Sequence, residues 1–171
     1  MNIANKIRLN YFIGFVCIVV LLAIAEYLEI YQNIIPCPLC MLQRVILIIL
    51  GLGFFIGMIF KMNKTFKIIL SIYNISFCFL GILFSSRQVW LQESVKQSIG
   101  ECGASLSYML KILPLSQVIK QIWVGGMGCS EQGWVFWNLS LASWSLIGFS
   151  LFFIFSVFQL KNLVKKIKNF Y

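Results

Sequence analysis

The 171-residue chain is 60% hydrophobic, 16% aromatic and only 11% charged, against about 25% charged for a typical soluble domain. Water does not solvate so much apolar surface with so few charges, whereas lipid tolerates it, so an ordinary soluble domain is excluded. The net charge of +9 gathers at the ends of apolar runs, which argues against nucleic-acid binding; with no histidine in the chain, no imidazole can act as base or metal ligand.

Four apolar runs, at about 11–28, 41–60, 67–85 and 139–159, are each long enough to cross roughly 30 Å of hydrocarbon. The first reads as a retained membrane helix and not as a cleavable signal: it is too long, and Glu26, Tyr27 and Glu29 follow it where a small-residue cleavage site would stand. The third carries Ser71, Asn74 and Ser76, which can bond to their own backbone or to a neighbouring helix. The expected fold is an all-α membrane protein, a single domain over 1–171 forming a four-transmembrane-helix bundle, with a short loop at about 29–40 and a long one at about 86–138.

Orientation follows from the short loops. Lys6 and Arg8 in the N-terminal tail, Lys61, Lys64 and Lys67 between spans two and three, and Lys161, Lys165, Lys166 and Lys168 at the C-terminus place nine of the 14 basic residues on one side. The 29–40 loop has none. Both termini are therefore expected in the cytoplasm and both cysteine-bearing loops, about 29–40 and 86–138, outside.

Within the long loop, Leu115, Val118, Ile119, Ile122 and Trp123 follow Pro114 at the spacing of a short amphipathic helix. It could lie in the outer interface or pack on the bundle. Gly125, Gly126 and Gly128 precede Cys129, either as an ordinary turn or as a segment that lets a cysteine meet different partners. Trp134 and Trp137 mark the entry to span four as an aromatic belt.

The six cysteines divide by position. Cys17 and Cys78 lie in apolar spans and read as small hydrophobes. Cys37, Cys40, Cys102 and Cys129 all fall in the outward loops, which fits an oxidising compartment. Static disulfides are one reading of these four, and a zinc site another; the zinc site is disfavoured because Cys102 and Cys129 form no local Cys-x-x-Cys. A Cys-x-x-Cys such as Cys37-Pro38-Leu39-Cys40 closes too small a loop to be much of a staple, and its spacing is that of redox pairs. Cys40 stands at or next to the start of the second helix, where the helix dipole and unpaired N–H groups favour a thiolate. Arg44 lies one turn beyond on the same face. A charge at membrane depth is costly and usually functional: Arg44 either snorkels to the headgroups or donates to a ligand carbonyl oxygen. Gln43 points elsewhere and reads as mostly structural. Arg87, at the end of span three beside Trp90, reads as an interfacial anchor or as a second pocket residue.

These residues resemble the DsbB family. Cys37-Pro-Leu-Cys-Met-Leu-Gln-Arg44 is similar to that family's Pro-Cys-x-x-Cys-x-x-x-Arg signature at the start of the second span. Leu113-Pro114-Leu115, Gly128-Cys129-Ser-Glu-x-x-Trp134 and Arg87-Gln-Val-Trp-Leu-Gln92 look familial as well. The resemblance covers nearly the whole chain. It implies an inner-membrane thiol oxidase with redox-active disulfides Cys37–Cys40 and Cys102–Cys129. Cys102 would form the mixed disulfide with a DsbA-like periplasmic oxidant, Cys129 would then engage Cys37, Cys40 would reduce ubiquinone or menaquinone, and Arg44 would bind the quinone oxygen. The Pro-Leu between the first cysteines leaves room for a specialised partner in place of a general DsbA. Two alternatives compete: a vitamin K epoxide reductase-like protein, whose cysteine pair is expected late in the chain, and a non-enzymatic membrane subunit with structural disulfides.

Overall fold

The computed structural model describes residues 3–32, 38–60, 63–94, 114, 135–137 and 139–168. They form four long helices: α1 (Ile3–Gln32), α2 (Pro38–Ile59), α3 (Lys64–Ser94) and α4 (Leu141–Lys168). Each contains a stretch long and apolar enough to cross a membrane, namely Arg8–Tyr31, Leu39–Ile59, Thr65–Gln92 and Leu141–Lys165. A two-stranded antiparallel hairpin, β1 (Val135–Phe136) and β2 (Leu139–Ser140), leads into α4, pairing Val135 with Ser140 and Phe136 with Leu139. Its turn holds Trp137 at φ 53°, the positive φ that tight hairpin turns demand, with the indole 81% exposed.

Each helix is longer than the apolar run that announces it. The clearest case is α3, which continues to Ser94 although the sequence suggests a loop from about residue 86, where hydropathy falls. Hydropathy marks where lipid ends, whereas a helix continues until something breaks it, and 86–94 contains neither Gly nor Pro. Arg87, Gln88, Trp90 and Gln92 are therefore helical. Cys37, Cys102, Cys129, the Leu115–Trp123 segment, the 125–128 glycines and Trp134 lie outside the described residues.

Burial is distributed as a lipid-embedded bundle requires. Gln43, Ser71, Asn74, Ser85, Gln88, Gln92, Ser156 and Gln159 are buried, while Val20, Ile24, Ile48, Leu52, Ile72, Phe79, Leu151 and Ile154 are exposed. In lipid, apolar side chains gain nothing by hiding, whereas polar ones turn away from hydrocarbon; Ser71 and Ser85 bond to carbonyls of their own helix, while both side-chain polar atoms of Asn74 have no hydrogen-bond partner among the described residues. Glycines let the helices approach closely. Tyr11 of α1 lies over Gly57 of α2, where an added Cβ would stand 2.5 Å from the ring, and Phe54 of α2 lies over Gly14 of α1 in the same way. The Phe149 ring of α4 fills the notch at Gly81 of α3. Tyr11, Ile18, Leu50, Phe54, Leu70, Cys78 and Phe152 form the main core. At the end of the bundle where α1 starts, Arg8 Nε donates to the Met58 carbonyl at 3.1 Å, and so caps the last turn of α2.

Packing is uneven around the bundle. α3 and α4 share the largest interface, α1 packs on α2 and α2 on α3, but α1 and α4 touch little.

Candidate functional site

Pro38 opens α2, a position where a missing N–H costs nothing and the fixed φ suits a helix. Cys40 therefore sits in the first turn, half-buried, against the small cluster of Leu39, Leu91 and Phe84. Its sulfur accepts a hydrogen bond from Gln88 Nε2 of α3 at 3.0 Å. Gln88 Oε1 in turn accepts from Gln43 Nε2 at 2.7 Å. One turn further along α3, Gln92 Oε1 accepts from Ser140 Oγ at 2.6 Å. Ser140 Oγ also accepts from Ser143 N at 3.3 Å, which makes Ser140 the N-cap of α4.

Arg44 does not extend toward water. Its Nη1 donates to both Glu26 (3.1 Å) and Glu29 of α1, and its Nη2 donates to the Ala25 carbonyl at 3.3 Å. The guanidinium is thus fixed by one face of α1. An arginine fork offers five N–H donors, so among the described residues two remain for anything beside it.

A cavity of about 340 Å³ adjoins these groups. Its walls are Leu21, Ile24, Ala25 and Leu28 of α1, Cys40, Gln43, Arg44 and Leu47 of α2, and Leu141, Ala142, Trp144, Ser145, Gly148 and Phe149 of α4. A mostly apolar lining with a few polar groups at one end is the usual make-up of a small-molecule site. α3 contributes no wall residue, so Arg87 is not part of the lining. Of the residues singled out in the sequence, Cys40, Arg44 and also Gln43, expected to point elsewhere, are brought together on this cavity. Cys17 is exposed on α1 and Cys78 is buried in the core. Sequence reasoning missed Glu26 and Glu29 as the partners of Arg44, and gave Gln43 and Gln88 no role near the sulfur. The available signal was the Glu26, Glu29 spacing of three, which puts both carboxylates on one helical face, just before a short loop that returns the chain to a lone arginine.

Fold and site together define a multi-pass, four-helix membrane protein that presents a cysteine at a helix N-terminus beside an apolar cavity. Residues 7–159 match the family model described as "Disulfide bond formation protein DsbB", and the chain belongs to that family. It is 31% identical to the disulfide bond formation protein B of Nitrosococcus oceani over 156 residues, covering 91% of this chain and 92% of that relative. Its similarity to the protein of the same name from Hahella chejuensis is 32% over 83% and 86% of the two chains, and to that from Acinetobacter baylyi 37% over 80% of each. Membership carries a disulfide-forming oxidoreductase role and sets aside the vitamin K epoxide reductase-like alternative.

Proposed function

We propose that the chain is a thiol:quinone oxidoreductase of the bacterial inner membrane that reoxidises a DsbA-like periplasmic dithiol and passes the electrons to ubiquinone or menaquinone. The observation that carries this reading is that Cys40 and Arg44 line one cavity whose remaining walls are largely apolar. A quinone head needs an apolar slot with donors at its carbonyl oxygens, and the residues present fit it: Arg44 supplies the donors, while Trp144, Leu28 and Leu47 are suited to the ring and the start of the tail. When bound, a quinone takes up two electrons and two protons.

In this reading Cys102 receives the partner's thiolate as a mixed disulfide, and Cys129 passes the exchange on to Cys37. Attack on Cys37 releases Cys40 as the thiolate that faces the acceptor, and re-forming Cys37–Cys40 closes the cycle. DsbA-type oxidants stand at about −120 mV, so only an acceptor of comparable or higher potential can drain them, and quinone is already dissolved in the lipid. Both termini face the cytoplasm.

The test is oxidation of a reduced DsbA-like protein by the purified chain with added quinone. Turnover is expected for the parent and lost in Cys40→Ser; normal turnover by Cys40→Ser overturns the mechanism. A tag at Tyr171 should be reachable only from the cytoplasmic side, and periplasmic labelling would invert the topology.

A further inference from the structure

The Gln88 amide is tied at both ends. Its Nε2 donates to Cys40 Sγ at 3.0 Å and its Oε1 accepts from Gln43 Nε2 at 2.7 Å. Both glutamines are buried, Gln88 at 2% and Gln43 at 5% exposure. The terminal torsion of a glutamine is broad and roughly two-fold, so an unrestrained amide could turn either its oxygen or its nitrogen to the sulfur. The bond to Gln43 couples the two amides, so that they turn together. Because Gln43 donates from Nε2, it requires an oxygen opposite, and this leaves the N–H of Gln88 for Cys40. In this structure donation runs along the line Gln43, Gln88, Cys40. Its direction matters, since an N–H stabilises negative charge on sulfur and a carbonyl oxygen opposes it.

We infer that Gln88, oriented by Gln43, is the hydrogen-bond donor that stabilises the Cys40 thiolate when the Cys37–Cys40 disulfide opens. The inference rests on the reading of Cys40 as the redox sulfur. In the step concerned, an incoming thiolate attacks Cys37 Sγ and forms a new S–S bond there. The Cys37–Cys40 bond breaks, and its electron pair leaves on Cys40 Sγ with no proton transferred. Disulfide exchange is faster when the departing sulfur holds charge better. Hydrogen bonds to an ionised group are roughly twice as strong as neutral ones, and the burial of Gln88 keeps water from competing for its amide. Gln88 touches the reacting atom and is catalytic in that sense; Gln43 is a positioning residue that acts through it. The acceptor cavity stays open, because Gln88 approaches the sulfur from α3, which lines none of it.

The test uses the full-length chain with Cys37→Ser, so that Cys40 remains a thiol, and follows its alkylation at neutral pH by peptide mass. Gln88→Met keeps length and bulk but removes the donor. A smaller thiolate fraction, partly offset by a more nucleophilic thiolate, should slow alkylation by about three- to tenfold. Gln43→Met should slow it less, since Gln88 then turns freely, and it should add nothing on top of Gln88→Met. In chains that retain Cys37, Gln88→Met should lower kcat with the quinone KM unchanged. If Gln88→Met does not fold, Gln43→Met alone decides: slower alkylation supports the inference and the parent rate overturns it. Parent-rate alkylation in folded Gln88→Met, or an additive effect of the two substitutions, also overturns it. Alkylation needs no quinone, so this outcome is independent of whether Cys40→Ser turns over.

Discussion

The clamp on Arg44 can be graded carboxylate by carboxylate. The Arg44 side chain is 20% exposed, Glu29 31% and Glu26 60%. An exposed ion pair contributes only about 0.2–1 kcal/mol, which places Glu26 at the low end, and Glu29, better shielded, near the upper end. If the carboxylates fix the guanidinium so that its two remaining N–H groups meet a quinone oxygen, each loss appears as a weaker acceptor interaction. Glu29→Gln should raise the quinone KM about fivefold, the equivalent of about 1 kcal/mol, and Glu26→Gln less than about twofold. Arg44→Ala removes a charged donor of about 1.5–3 kcal/mol and should raise the KM by roughly ten- to a hundredfold. Arg44→Lys should rescue little, because a point-charge ammonium does not span two carboxylates and the Ala25 carbonyl as a planar fork does. The assay is initial rate against quinone concentration at saturating reduced thiol partner. A larger effect from Glu26→Gln than from Glu29→Gln would refute the burial argument; an unchanged KM in Arg44→Ala would reduce Arg44 to an interfacial anchor.

Other consequences follow from packing. Gly81→Ala pushes a methyl into the Phe149 ring and should destabilise the bundle by about 1–3 kcal/mol, seen as a lower unfolding midpoint in detergent. Gly148→Ala meets only Leu21 Cδ1, at 4.0 Å, and should leave that midpoint unchanged; the larger Gly148→Leu should fill the cavity and raise the quinone KM with little loss of stability. Ser140→Ala removes the N-cap of α4 and the donor to Gln92, and should cost about 1–2 kcal/mol in the same measurement. A parent-like midpoint would mean that another group caps α4.

Membrane class and the number of spans were legible because hydropathy over some twenty residues responds directly to the solvent. Helix ends were not, since lipid thickness and helix propensity stop at different residues; the extension of α3 to Ser94 brings Gln88 level with Cys40. Cys40 and Arg44 could be paired from spacing alone because both lie on one helix, where position fixes geometry. Glu29 and Gln88 reach them from other helices, and their contacts depend on the relative rotation of α1 and α3 about α2, which no single-helix pattern encodes. The same gap explains why Gln43 read as structural: its partner, the Gln88 amide that touches Cys40, comes from α3.

Small residues serve opposite ends in this bundle. At Gly14, Gly57 and Gly81 an aromatic ring from the neighbouring helix fills the notch, which draws α1 to α2 and α3 to α4. Around the cavity, Ala25, Ala142, Ser145 and Gly148 are equally small, yet at Gly148 the nearest foreign atom stays 4.0 Å from an added Cβ. α1 and α4 touch little, and at this level Leu21 of α1 is what reaches toward Gly148 of α4. A void lined by apolar groups forfeits dispersion contacts, and an apolar molecule that fills it regains them. On the quinone reading, a water-soluble acceptor would have to pass the ion-paired end of the bundle to reach Cys40, whereas a lipid-dissolved one needs only to slip between a pair of loosely packed helices. On that reading, the loose packing between α1 and α4 would select the electron acceptor by its solubility before Arg44 selects it by its oxygen.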